Sequence, residues 1–142
     1  MRGRALGIAA VLGFAAIGKI TAFEDSVASV SQTHLASPGL SGPIVVAVCC
    51  TEVIVALSLL CGVRGRAIAF LASALLFAAF AGYSAWRMWM GIHVPCSCFG
   101  LFLRLPSGAM AALSAILSHL SLSGWARLAR PALTPMEVVD HA

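Results

Sequence analysis

The stretch "PIVVAVCCTEVIVALSLLCG", Pro43 to Gly62, decides the fold. Glu52 is its only charged residue, and its length matches the roughly 20 helical residues that cross about 30 Å of hydrocarbon. Three further segments have the same character: Ala5 to Phe23, Ala67 to Met90 and Ser107 to Arg127. Pro43 and Pro106 stand where helix starts are expected, since proline fits the first turn and lacks the N–H that would be orphaned there.

Composition agrees. The 142 residues are 61% hydrophobic and 10% charged, with a mean hydropathy of +0.99, whereas soluble domains are about half apolar and about a quarter charged. So few charges cannot cover a water-soluble globule. The length allows one compact bundle and no second domain of useful size. The net charge of +4 comes from basic residues at the ends of apolar segments. No basic run with interleaved aromatics occurs, which argues against nucleic-acid binding. Isolated strands are excluded from lipid, and no ten-residue alternating pattern suggests a barrel. The expected fold is all-α: a single integral membrane four-helix bundle, residues 1–142, with spans at 5–23, 43–62, 67–90 and 107–127.

Lys and Arg at the segment ends set the expected orientation. Arg2, Arg4, Arg64, Arg66, Arg127 and Arg130 gather on one side, against Lys19, Arg87 and Arg104 on the other. That bias places both termini in the cytoplasm, and the loops 24–42 and 91–106 outside. Trp86, Trp89 and Trp125 fall near segment ends, as interfacial aromatics do. Basic "MRGR" followed by an apolar core also resembles a signal peptide. The apolar run is long, however, and Lys19 interrupts the place where a cleavage site should be small and neutral, so the segment is read as a retained span. The first outer loop, "EDSVASVSQTHLASPGLSG", is polar and Ser-rich, and little structure is expected in its middle beyond a short interfacial turn.

Five cysteines are present: Cys49, Cys50, Cys61, Cys96 and Cys98. Cys61 is read as a small packed hydrophobe at the cytoplasmic end of its span. Cys49 and Cys50 are adjacent on one helix and point about 100° apart, so a bond between them would distort the peptide; they are expected to pack. Cys96 and Cys98 differ. They lie in "HVPCSCFG", a polar break on the oxidising side. A disulfide between them closes a very small ring, and strained, exposed disulfides are the labile or catalytic ones. A structural staple would normally close a longer loop. Three readings stand: a redox pair, a structural disulfide or inert thiols, and a metal site completed by His93. The last is short of ligands, because no second Cys pair exists.

Charges at membrane depth are costly and mark functional positions. Glu52 is about 13 Å into its span at 1.5 Å per residue, and Lys19 lies near the outer end of the first. A Lys19–Glu52 pair in the outer half is expected; the competing arrangement has Lys19 snorkelling alone and Glu52 protonated. His119, midway along the fourth span, is expected to be a hydrogen-bonded packing residue.

The chain resembles the MauE family of methylamine-utilisation membrane proteins, within the wider MauE/DoxX-like redox-associated group. The resemblance runs from about Leu6 to Leu122. It is carried by "CSCFG" (Cys96 to Gly100), by "GFAAIGKITAF" with Lys19, and by "TEVIVALSLLCGVRGR" with Glu52. Ser97 stands where the family signature has Gly. The resemblance implies a multi-pass protein of the bacterial inner membrane that works with a thioredoxin-fold, MauD-like partner on disulfides outside the cytoplasm. In methylamine-utilising bacteria the client is the small subunit of methylamine dehydrogenase. It also implies a distant likeness in architecture to quinone-linked oxidoreductases of the DsbB and vitamin K epoxide reductase types.

Two functional classes follow. In the first, an oxidoreductase, a thiolate of Cys96 or Cys98 attacks a partner's disulfide and the other thiol resolves the mixed disulfide. Arg104 favours that thiolate. No cofactor is specified by the residues themselves; a membrane quinone near Glu52 and Cys49 or Cys50 is the candidate electron acceptor, and the reverse electron direction fits equally well. In the second, a non-enzymatic membrane scaffold, the cysteines form a permanent staple. Whether the pair cycles between thiol and disulfide separates the two.

Overall fold

The computed structural model describes residues 2–33, 37–61, 65–92 and 106–129. They form five helices: α1 (Arg2–Thr21), α2 (Phe23–Ser31), α3 (Pro38–Cys61), α4 (Arg66–Trp89) and α5 (Ser107–Ala129). Four of them, all but α2, are long and apolar enough to cross a membrane.

The register of buried residues explains the bundle. On α1, Ala5, Ile8, Ala9, Leu12, Ala15, Ala16 and Lys19 recur at helical spacing and face inward, the one-sided stripe that a packed helix needs. Leu12, Leu59, Phe77 and Met110, one from each long helix, are fully buried and meet in the core. Large apolar side chains on the outer faces, among them Phe14, Ile54, Leu57, Ile68, Leu75 and Ile116, remain exposed. In water that surface would be costly; in lipid it is the natural exterior. α1 packs on α3 and α4 on α5.

With no hydrophobic drive between helices in lipid, close approach and hydrogen bonds hold such pairs. The α4–α5 pair shows both. The Ser118 hydroxyl donates to the Ala74 carbonyl at 2.9 Å, and Gly124 lies against the Phe70 ring, so closely that a Cβ there would come within 2.8 Å of ring carbons. Phe70 is itself buried and has little room to withdraw. Gly124→Ala is therefore expected to destabilise the fold by about 1–3 kcal/mol through overpacking. Thermal unfolding in detergent measures it, and Phe70→Leu in the same chain should restore part of the loss.

The helix bounds differ from expectation in three places. α3 begins at Pro38, not Pro43, which lies inside the helix. The apolar run starts only at Ile44, so hydropathy put the start too late. Pro43 lacks only the N–H that would bond one turn back, near the helix start. α1 stops at Thr21, whose hydroxyl donates to the carbonyls of Ile17 and Gly18. The third difference is α2, a nine-residue helix in the segment expected to hold at most a turn. Glu24 and Asp25 in its first turn suit the positive end of the helix dipole. Its buried face is Ser26 and Ser29, so no apolar stripe announces it.

α4 ends in a Schellman motif. Gly91 takes φ +69°, its N–H donates to the Met88 carbonyl, and the Ile92 N–H reaches back to the Arg87 carbonyl. This terminates the helix ahead of the segment that carries the Cys-x-Cys sequence.

Candidate functional site

Lys19, in the last turn of α1, and Glu52, near the middle of α3, meet across the α1–α3 seam. Lys19 Nζ donates to Glu52 Oε1 at 2.6 Å, and both side chains are buried, 6% and 0% exposed. The expected pair is present, and Lys19 does not snorkel. The ammonium also lies 5.0 Å from the centroid of the Phe80 ring on α4, a cation–π distance. Three helices therefore converge on one amine. Among the described residues the pairing is bonded on one side only, because Glu52 Oε2 is buried and has no hydrogen-bond partner there.

Cys49 and Cys50 precede Glu52 on α3. Cys49 is buried one turn from the carboxylate, Cys50 is exposed on the outer face, and both are free. Their divergence is what adjacent helical positions dictate. Cys61 is free and exposed at the end of α3.

Sequence reasoning missed a second polar cluster, toward the end of the bundle where α2 lies. Arg87 is fully buried on α4. Its guanidinium donates to the Ser29 hydroxyl on α2, and its Cζ sits 5.9 Å from the Tyr83 ring centroid. The Tyr83 hydroxyl donates to the Ser29 carbonyl at 3.0 Å. These contacts tie α2 to α4. The available signal was register: Arg87 falls seven residues after Phe80, on the same inward face.

Two of the three basic residues assigned to that end, Lys19 and Arg87, are thus engaged inside the protein. At the opposite end Arg2, Arg4 and Arg127 are exposed, with an Arg4 guanidinium N–H 3.4 Å from the Ser123 hydroxyl. His119 is exposed on α5 and is not the packed residue expected, because α5 turns only its Ser107, Met110, Ser114, Ser121 and Gly124 face fully inward. Cys96, Cys98, His93 and Arg104 lie outside the described residues.

A family model described as methylamine utilisation protein MauE matches residues 3–127. That range covers nearly the whole bundle and contains Lys19, Glu52, Cys96 and Cys98. No curated protein and no solved structure matches the chain.

Proposed function

Because the chain belongs to the MauE family, we propose that it is a membrane-embedded thiol–disulfide redox protein. The observation that carries the reading is the position of Cys96-Ser97-Cys98 within the matched range, in the connection between α4 and α5. α4 ends at the same end of the bundle as α2, the end joined by the Arg87–Ser29 contact. The positive-inside bias supports a cytoplasmic location for the opposite end and for both termini. Burial of Lys19 and Arg87 strengthens that bias, since neither leaves its charge on the outer surface.

In this function a thiolate of one cysteine attacks the disulfide of a thioredoxin-fold, MauD-like partner. The mixed disulfide is resolved by the second thiol, which leaves Cys96–Cys98 oxidised and the partner as a dithiol. Regeneration of the dithiol takes two electrons and two protons from a donor, and a membrane quinol reached near Glu52 and Cys49, oxidised to the quinone in the step, is the donor class a bilayer offers. Arg104 stands six residues after Cys98 and favours the thiolate through its charge. The setting is the inner membrane of a bacterium, and methylamine utilisation is the family's process.

A membrane-impermeant thiol reagent tests the placement. Applied to intact cells after reduction, it is expected to label Cys96 and Cys98 and to spare Cys61; without prior reduction the pair should resist. Labelling of the pair only after lysis would overturn the orientation, and equal labelling with and without reductant would overturn the redox reading.

A further inference from the structure

Phe80, Ser84 and Arg87 occupy one face of α4, and all three are buried. The first holds Lys19 and the last is bonded to Ser29 of α2. Ser84 therefore sits between the Lys19–Glu52 pair and the underside of α2. It is 0% exposed and its hydroxyl has no partner among the described residues. One turn before Ser29, Ser26 presents a second buried hydroxyl without a partner among the described residues. Glu52 Oε2 is a third such oxygen.

A rise of 1.5 Å per residue sets Ser84 about 6 Å along α4 from Phe80 and about 4.5 Å from Arg87, so it lies within about one turn of each. A buried oxygen left unsatisfied costs about 1–3 kcal/mol, and hydrocarbon offers it nothing. Internal water is the ordinary partner of such groups, and a site polar on several sides holds it. Lys19 keeps spare N–H donors beside the carboxylate, since an ammonium has three. A buried carboxylate oxygen, an ammonium and two buried hydroxyls thus lie on α1, α3, α4 and α2, the helices joined by the Lys19–Phe80 and Arg87–Ser29 contacts.

We propose that Glu52, Lys19, Ser84 and Ser26 form a hydrated internal proton site, in which Glu52 takes up and releases a proton exchanged with water beneath α2. Lys19 faces Glu52 from α1, and Tyr83 and Arg87 lie along the route on α4. Glu24 and Asp25 are exposed on α2, Cys49 and Cys50 share α3 with Glu52, and α5 carries its nearest titratable group, His119, on its exposed face. The site uses neither Cys96 nor Cys98, so it stands or falls apart from the redox reading.

Infrared difference spectra of the full chain in lipid vesicles, taken between acidic and alkaline buffer in H2O and D2O, test it. The expected result is a carboxylic acid C=O band that shifts in D2O and is missing in Glu52→Gln. In Ser84→Ala the deuterium exchange of that band should be about tenfold slower, the change produced by losing one hydrogen bond of ordinary strength. A band retained in Glu52→Gln, one that never exchanges, or an exchange rate unchanged in Ser84→Ala would overturn the proposal. If Glu52→Gln does not insert stably, Glu52→Asp should move the band, and an unmoved band overturns the proposal equally.

Discussion

Replacing Lys19 alone by methionine, or Glu52 alone by leucine, is expected to destabilise the folded bundle by about 3–5 kcal/mol, because the surviving charge is left buried and unpaired. Their 2.6 Å contact lies between two side chains that are almost wholly shielded. Loss of Lys19 also removes the cation from the Phe80 ring, so the effect crosses from the α1–α3 seam to α4. Replacing both with apolar residues of similar volume, Lys19→Met with Glu52→Leu, should be milder than either single change. A buried ion pair recovers its desolvation cost poorly, and an apolar pair has none to recover. Unfolding of the four proteins in mixed micelles completes the double-mutant cycle. Strongly non-additive losses are expected; additive losses would mean that the two residues do not depend on each other.

The four spans and this ion pair were legible in the sequence for one reason: hydrocarbon imposes a length on every crossing and a partner on every buried charge. α2 was not legible, because the rule that finds helices looks for an apolar stripe. The face that α2 buries is Ser26 and Ser29, held by Tyr83 and Arg87, and its polarity reads as a loop. Arg87 was misread by the same logic in reverse. A basic residue near a helix end counts as surface charge until its register with Phe80 and Ser84 is noticed. Pro43 misled through position, since the last proline before an apolar run looks like a helix start although α3 already began at Pro38. His119 shows that a polar residue in a span need not face the bundle; α5 is the most loosely enclosed of the long helices, and the residue falls on its open side. The Cys-x-Cys pair lies outside the described residues, and its reading rests on its spacing, the polar sequence around it and the family that the chain belongs to.

That pair carries the second large effect. Cys96→Ser or Cys98→Ser is expected to abolish redox turnover of the thioredoxin-fold partner while leaving an inserted, folded protein. The helices are held in the bilayer by their apolar surface and internal hydrogen bonds, to which these thiols contribute nothing. One of the two variants should also accumulate a mixed disulfide with that partner, since the resolving thiol is gone. The other lacks the attacking thiol and should trap nothing.

The redox function requires that Cys96 and Cys98 cycle between dithiol and disulfide, which is measured as their redox state in the wild-type chain, read by alkylation mass shift across a series of dithiol buffers. The expected result is a small-ring disulfide that opens in mild dithiol, at a potential above the roughly −300 mV below which structural disulfides lie. A pair that stays oxidised across the whole series, in a protein whose serine variants still sustain the partner, would contradict it.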